Sequence, residues 1–156
     1  MNIFFTDPDP VKCAEYLDNK RVVKMVLESC QMLATAINET GGKAPYKSTH
    51  KNHPSNVWVR ESYDNFMWLW EHMVALSDEY ERRYGKKHKS YLIFTNSDIL
   101  VQAQSLLPKL GLTSKPNCAA NQDKGISYKH ISDIYTAYKL YLNDRWETDT
   151  NDVQWS

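Results

Sequence analysis

The segment AEYLDNKRVVKM, residues 14–25, combines one candidate catalytic acid with three basic side chains. Asp18 precedes Arg21 by three residues, so the two side chains are neighbours on a helix surface. Asp18 also borders an apolar stripe that begins at Val22, and burial beside such a stripe raises the pKa of a carboxyl group. A nearby arginine counteracts that rise and holds the carboxylate ionised. This pattern is typical of a tuned acid or base, and equally of an ordinary Asp–Arg pair at a helix amino terminus.

Basic residues are concentrated in two further stretches. Residues 41–60 contain four Lys or Arg and no acidic residue, whereas residues 61–81 contain six acidic residues and no Lys or Arg. The segment RRYGKKHK, residues 82–89, adds five positive charges, although the net charge of the chain is zero. Zero net charge argues against a surface that binds nucleic acid everywhere. The local patches favour a phosphate backbone as partner, while solvated helix ends produce the same pattern.

Two histidines and one tryptophan stand beside the first basic stretch. His50 and His53 form an H-x-x-H pair, but no Cys or carboxylate lies near enough in sequence to complete a zinc site. We therefore predict no metal and no cofactor, and expect the histidines to line a pocket or donate to phosphate; a loop held by histidine–backbone bonds is the structural alternative. Trp58 could stack on an extruded base, although most tryptophans are core residues. The predicted nucleic-acid contacts are Lys20, Lys24, Lys47, His50, Lys51, His53, Trp58, Arg60, Lys86 and Lys87.

Hydrophobic periodicity places these residues on or between helices. One helix is predicted over residues 19–39, a central aromatic-rich helix from HPSNVW to about Gly85 with Ser55 as its cap, a third over residues 90–111, and a last one over residues 130–146. No segment shows the alternation of a strand, and we expect no hairpin. The extended MNIFF segment should pack on the core through Ile3 and Phe5. The sequence predicts an all-α fold, a single domain over residues 1–156 with four to five helices around the central one.

Composition restricts the setting of this domain. With 156 residues, of which 42% are hydrophobic, the chain suits one globular core. Its three cysteines show no C-x-x-C spacing, so we expect reduced thiols and a cytoplasmic protein. The first residues lack a basic leader, and no apolar run approaches the roughly 18 residues that span a bilayer. We expect an unsecreted, soluble monomer without a membrane partner.

Beyond single residues, several blocks resemble a known family. AEYLDNKRVVKMV is similar to the catalytic helix of the phage pyrimidine-dimer DNA glycosylases (pyrimidine-dimer endonuclease V family), where Ala-Glu-Tyr precedes a catalytic carboxylate by two positions and an Arg follows three later. THKNHPSNVWVRESYDNFMWLWEHM, residues 49–73, resembles the family segment in which a basic residue two before a Pro leads into a long aromatic helix. The similar blocks cover roughly residues 1–93. Tyr135, Tyr138 and Tyr141 resemble an aromatic carboxyl-terminal element that meets DNA in the family.

The resemblance implies a DNA repair enzyme. Such a DNA glycosylase acts on double-stranded DNA, flips a damaged or modified pyrimidine such as a pyrimidine dimer, and breaks its N-glycosidic bond. It also works as an AP lyase, an endonuclease activity that cuts the strand by β-elimination through a Schiff base with its own α-amine. By position, the carboxylate is Asp18, the amine belongs to Met1, and Arg21 contacts Asp18 or a phosphate. An α-amine suits this role, because its ordinary pKa of about 7.7–8.0 leaves more of it neutral than lysine, at about 10.4.

Two residues depart from the family pattern. Asp18 stands where the family has Glu, and its side chain is one methylene shorter. Asn2 stands where the family has a small residue, and a side chain of this size normally blocks removal of the initiator methionine, so Met1 itself would carry the amine. These departures weaken the prediction of strand cleavage more than that of base excision, since Asp18 could activate water without a covalent step.

Two other functions are also compatible with these residues. A phage nucleotide- or base-modifying enzyme would reuse the same pocket, and it would turn over free nucleotides rather than duplex DNA. A non-catalytic protein that binds DNA or a host factor would show an unchanged phenotype when Asp18 is replaced. If the chain is phage-encoded, its location is the host cytoplasm.

Overall fold

The computed structural model describes residues 1–149 and 153–156, and within them it contains seven α-helices and one short hairpin. The elements in chain order are α1 (Pro10–Tyr16), α2 (Asn19–Asn38), α3 (Pro54–Glu61), α4 (Tyr63–Tyr84), α5 (Lys89–Thr95), α6 (Ile99–Leu106), β1 (Ala120–Asn121), β2 (Ile126–Ser127) and α7 (Ile134–Thr148). The all-α prediction is confirmed, whereas the predicted count of four to five helices was too low.

Helices α2 and α4 form the centre of the fold and pack against each other. The apolar stripe predicted for α2 is buried throughout, so its 3.6-residue period places one face in the core.

Gly85 ends α4 with a φ of 77°, in the left-handed region that favours glycine, as its position in the sequence predicts. None of the helices in the described part of the chain is both long and apolar enough to cross a bilayer.

The long helix predicted from HPSNVW to about Gly85 is interrupted at Ser62. This residue has extended backbone angles (φ −150°, ψ 146°), and its hydroxyl accepts a hydrogen bond from Asp64 N at 3.3 Å. The freed amide of Tyr63 donates instead to Pro108 O at 2.8 Å. A serine thus begins a second helix and turns its axis. Ser55 is not the cap of α3; the His53 ring accepts from the Ser55 amide in that role.

The third predicted helix is also two helices, with a break over residues 96–98. The Ser97 hydroxyl donates to Phe94 O at 2.6 Å and accepts from Ile99 N at 3.3 Å. The side-chain Nδ2 of Asn96 likewise donates to Leu92 O at 2.7 Å. These local side-chain bonds compete with helical backbone bonds. They explain why the helix breaks here although the apolar pattern of the sequence continues.

The first and the last described residues both pack against the helices. The first residues are extended and buried, with Phe5 in contact with the rings of Trp58, Trp68 and Tyr138, as expected for MNIFF. At the other end, Gln154 O accepts from the Asn19 amide at 2.7 Å. The hairpin between β1 and β2 was not predicted, because its strands have only two residues each and show no alternation.

Candidate active site

The turn between α1 and α2 places Asp18 at the amino cap of α2. Its Oδ2 accepts from Arg21 N at 3.4 Å, and its Oδ1 accepts from Arg21 Nη1 at 3.1 Å. Oδ1 also accepts from the Trp146 indole at 2.9 Å. Only 2% of Asp18 is exposed, so both oxygens are occupied inside the protein. Asp18 therefore lies neither in bulk solvent nor in an open cavity, but behind the Arg21 guanidinium.

A second arginine holds this turn in place. Arg83, on α4, donates through Nη1 to Leu17 O at 2.7 Å and to Asn19 Oδ1 at 3.1 Å, and through Nη2 to Glu79 at 3.0 Å. Its side chain is 2% exposed. Because Leu17 and Asn19 flank Asp18, Arg83 fixes the backbone that carries the predicted acid.

Arg21 connects Asp18 to a cavity of about 270 Å³. Its Nη1 is shared between Asp18 and Asp149 Oδ2, the latter at 3.2 Å. The cavity is lined by Met1, Asn2, Phe4, Arg21, Lys24, Met25, Glu28, His53, Cys118, Ala120, Gln122, Tyr141 and Arg145. Of the predicted site residues, the structure brings Met1, Arg21, Lys24 and His53 together here. The concentration of cationic groups makes the cavity suitable for an anionic ligand.

The amino terminus is fixed at the wall of this cavity. The Tyr138 hydroxyl donates to Asn2 Oδ1 at 2.7 Å, and Asn2 Nδ2 donates to Cys118 O at 3.4 Å. The side chain of Met1 is 4% exposed, and its sulfur accepts from Asn56 Nδ2 at 3.1 Å. The side chains of residues 1 and 2 thus anchor the terminus.

Among residues 1–149 and 153–156, Glu28 is the carboxylate that pairs with this amine. The Met1 α-nitrogen lies 4.0 Å from Glu28 Oε1, and Lys24 Nζ lies 3.7 Å from Oε2. Oε2 is buried and accepts no hydrogen bond among the described residues. Sequence reasoning missed Glu28, although residues 21, 24, 25 and 28 recur at three- and four-residue spacings and so share one face of α2. That face is the signal that could have identified it.

His53 faces the cavity with its ring while capping α3. Its Nδ1 accepts from Ser55 N at 3.1 Å, which is the histidine–backbone bond anticipated as the structural alternative. Burial lowers the pKa of His53, and the positive charges of the Met1 amine, His50 and Lys129 lower it further. The ring is therefore neutral at neutral pH.

The thiol of Cys118 is a second potential nucleophile in the cavity wall, besides the Met1 amine. Burial raises the pKa of its thiol above the ordinary value of 9.0. Because the thiolate is the reactive form of cysteine, this thiol is a poor nucleophile at neutral pH. Among residues 1–149 and 153–156, no group of three or more His, Cys, Asp or Glu is arranged to hold a metal ion.

The other predicted basic residues lie outside the cavity wall. Lys20 is exposed on α2, while Lys47, His50 and Lys51 are exposed in the loop before α3. Arg60 holds that loop by donating to Lys51 O at 2.7 Å. Lys86 and Lys87 are exposed after α4, and Lys87 Nζ pairs with Glu81 at 3.0 Å.

Trp58, which was predicted to contact DNA, is almost fully buried and does not line this cavity. It is 2% exposed, packs edge-on against Phe5, and donates its indole N–H to Thr113 O at 3.3 Å. Burial of its large apolar ring in the core accounts for this position. The cavity wall contains two other aromatic side chains, Phe4 and Tyr141, whose rings are stacked with 6.1 Å between centroids.

Comparison with known protein families gives one match for this chain. A family model described as pyrimidine dimer DNA glycosylase matches residues 1–92, more than half of the chain. The matched residues include Met1, Arg21, Glu28 and His53, but not the hairpin or α7. Neither the curated proteins nor the solved structures contain a significant match.

Proposed function

Because this chain belongs to the pyrimidine dimer DNA glycosylase family, we propose that it flips a damaged or modified pyrimidine out of duplex DNA and releases it with the Met1 α-amine as nucleophile. We further propose that the resulting Schiff base gives the protein AP-lyase activity. The observation that carries the proposal is the 4.0 Å separation between the Met1 α-nitrogen and Glu28 Oε1 inside a cavity with a cationic wall.

The reaction needs a neutral amine beside a proton carrier. The Met1 nitrogen attacks C1′ of the flipped nucleotide, the C1′–N bond breaks, and its electron pair leaves with the base. Glu28 accepts a proton from the attached nitrogen and passes it to O4′ as the sugar ring opens to a C=N bond. Removal of a C2′ proton then expels the 3′ phosphate. Charge on the sugar is stabilised by the same carboxylate.

In this scheme Asp18 positions Arg21 instead of touching the sugar. Its two oxygens bind Arg21 and Trp146, while the Arg21 side chain reaches the cavity wall. Arg21 then contacts a phosphate that flanks the flipped nucleotide, a planar guanidinium being well suited to phosphate oxygens. Direct catalysis by Asp18 is the alternative, and it requires the carboxylate to exchange these hydrogen bonds for substrate.

DNA is proposed to cross the cavity mouth and meet basic side chains on both sides. Lys20 and Lys24 lie on α2, and Lys47, His50 and Lys51 form part of the loop before α3. Contacts of this kind are sequence-independent and weaken as salt concentration rises. In this scheme Tyr141, which is less buried than its neighbour Phe4 in the cavity wall, stacks on an unpaired base.

Borohydride trapping tests the proposal. Duplexes carrying a cyclobutane pyrimidine dimer, an abasic site or a modified pyrimidine are incubated with the protein and reductant, and the adduct is mapped by mass spectrometry. We expect a covalent adduct at the Met1 nitrogen. A protein with one glycine added before Met1 is the matched control, because its amine is displaced from Glu28 while the cavity residues are unchanged; its adduct should be lost.

Other outcomes distinguish the alternatives. Base release without an adduct would indicate water as the nucleophile, and turnover of free nucleotides would indicate a nucleotide-modifying enzyme. Binding to duplexes without any base release would leave a non-catalytic DNA-binding protein.

A further inference from the structure

His53 is constrained to one protonation state by its place at the start of α3. The Nδ1 atom accepts a hydrogen bond from Ser55 N at 3.1 Å, so it carries no proton. In a neutral imidazole the proton then resides on Nε2. The structure gives Nε2 no hydrogen-bond partner among residues 1–149 and 153–156, and the ring lines the cavity. His53 therefore offers the cavity an N–H donor.

Protonation of this ring is opposed from several directions. A second proton on Nδ1 would break the cap, and the amino end of a helix disfavours a nearby positive charge. Positive groups also face the ring from the amino terminus (Met1), its own loop (His50) and the segment after β2 (Lys129). Within the described part of the chain, the cavity wall adds Arg21, Lys24 and Arg145 against one carboxylate, that of Glu28.

A neutral donor in a cationic cavity is poorly matched to phosphate, for which the arginines and Lys24 are better partners. It is well matched to a carbonyl oxygen on which negative charge develops during the reaction. When the glycosidic bond of a pyrimidine breaks, the electron pair left on N1 is shared with the O2 carbonyl. No other neutral N–H donor in the cavity wall is fixed by a helix cap within the described residues.

We propose that His53 Nε2–H donates a hydrogen bond to the O2 carbonyl of the departing pyrimidine and stabilises the charge that builds up there. The proton stays on Nε2, and the released base takes its proton from water. This inference rests on the proposed function, since it requires a base to leave. It makes His53 a catalytic residue for base release and gives it no part in the later chemistry of the sugar.

The variant His53→Asn separates this role from the helix cap. Asparagine is a favoured cap, and its Oδ1 can accept from Ser55 N in place of Nδ1, but it has no atom in the position of Nε2. His88→Asn is the matched control, because His88 caps α5 in the same way, accepting from Ser90 N at 3.1 Å, and does not line the cavity. The thermal midpoints of both variants should stay close to that of the parent protein.

Two substrates give the decisive comparison. On a lesion-bearing duplex, His53→Asn should slow single-turnover base release by about 100-fold, the usual effect of removing one such donor. On a duplex with a preformed abasic site, its rate of borohydride trapping should match the parent, since no base departs. His88→Asn should match the parent on both.

An equal loss on both substrates, or no loss on the lesion, would overturn the inference. If the parent protein neither releases base nor forms an adduct on the abasic duplex, the proposed function itself fails. An active parent with an unaffected His53→Asn variant removes only the role of His53.

Discussion

The α-amino nitrogen of Met1 lies 4.0 Å from Oε1 of Glu28. The carboxylate that the family resemblance matches to the catalytic acid, Asp18, is instead hydrogen-bonded to Arg21 and Trp146. Two acidic residues on the first three turns of one helix thus have different surroundings. One faces the amine, and the other faces the arginine that lines the same cavity.

Replacing each acid in turn should show that Glu28 and Asp18 have different functions. Glu28→Gln removes the proton carrier, so we expect base release to slow by about 10²- to 10⁴-fold with little change in DNA affinity. Asp18→Asn keeps the cap but removes the charge beside Arg21, so it should act mainly on DNA affinity and its salt dependence. Single-turnover kinetics and equilibrium binding measure the two effects. If Glu28→Gln were fully active and Asp18→Asn inactive, Asp18 rather than Glu28 would be the catalytic carboxylate.

The helical character of the chain could be predicted from sequence, but its helix breaks could not. The stripe from Val22 to Ile37 marks the buried face of α2, because a 3.6-residue period reports burial directly. The break at Ser62 depends on an acceptor, Pro108 O, that is distant in sequence. Local pattern contains no information about such a partner, so a serine inside an apolar stripe resembles any other helical serine.

Part of the candidate site could also be predicted from sequence. Arg21 and Met1 could be identified because a motif and a terminus mark them. Glu28 has no motif, and its proximity to Met1 follows from the way Asn2, Tyr138 and Asn56 anchor the first two residues. The burial of Trp58 could not be predicted, because an aromatic residue beside a basic loop looks the same in sequence whether its ring is packed inward or exposed.

Arg83 should contribute far more to stability than its neighbour Arg82. Arg83 is buried and binds Leu17 O, Asn19 and Glu79, so Arg83→Met leaves buried acceptors without a partner and should lower the free energy of unfolding by about 3 kcal/mol. Arg82→Met is the control, because Arg82 is exposed and binds only Glu79 among the described residues. Urea denaturation measures both. Equal effects of the two substitutions would show that Arg83 does not hold the turn.

Removal of the Tyr138 hydroxyl should lower both the stability of the fold and the rate of adduct formation at Met1. It donates to Asn2 Oδ1 at 2.7 Å and accepts from Cys118 N at 3.1 Å, so Tyr138→Phe leaves both groups unpaired at a cost of about 1–3 kcal/mol. The freed terminus should also slow adduct formation at Met1. Tyr91→Phe serves as the stability control, since it keeps the ring that faces Lys87 Nζ, 5.6 Å from its centroid, and removes only a hydroxyl group. Unchanged trapping by a destabilised Tyr138→Phe would mean that Asn2 does not position the amine.

His72 should make the protein less stable in mild acid. It is buried on α4, its Nδ1–H donates to Pro10 O at 2.9 Å, and burial lowers its pKa from 6.5 to about 4. Between these two pH values the unfolded chain binds a proton that the folded protein does not. The stability contribution of His72 is therefore fully present above pH 6.5 and is lost as the pH drops towards 4.

His72→Asn can keep a donor to Pro10 O but cannot titrate. The difference in unfolding free energy between parent and variant should shrink by roughly 3 kcal/mol from pH 7 to pH 4, at most about 1.4 kcal/mol per pH unit. The pKa values of His53 and His88 are also lowered by burial, but both residues are present in the two proteins and cancel in the difference. Denaturant titrations across this range measure it, and a difference that stays constant with pH would show that His72 is protonated in the folded protein.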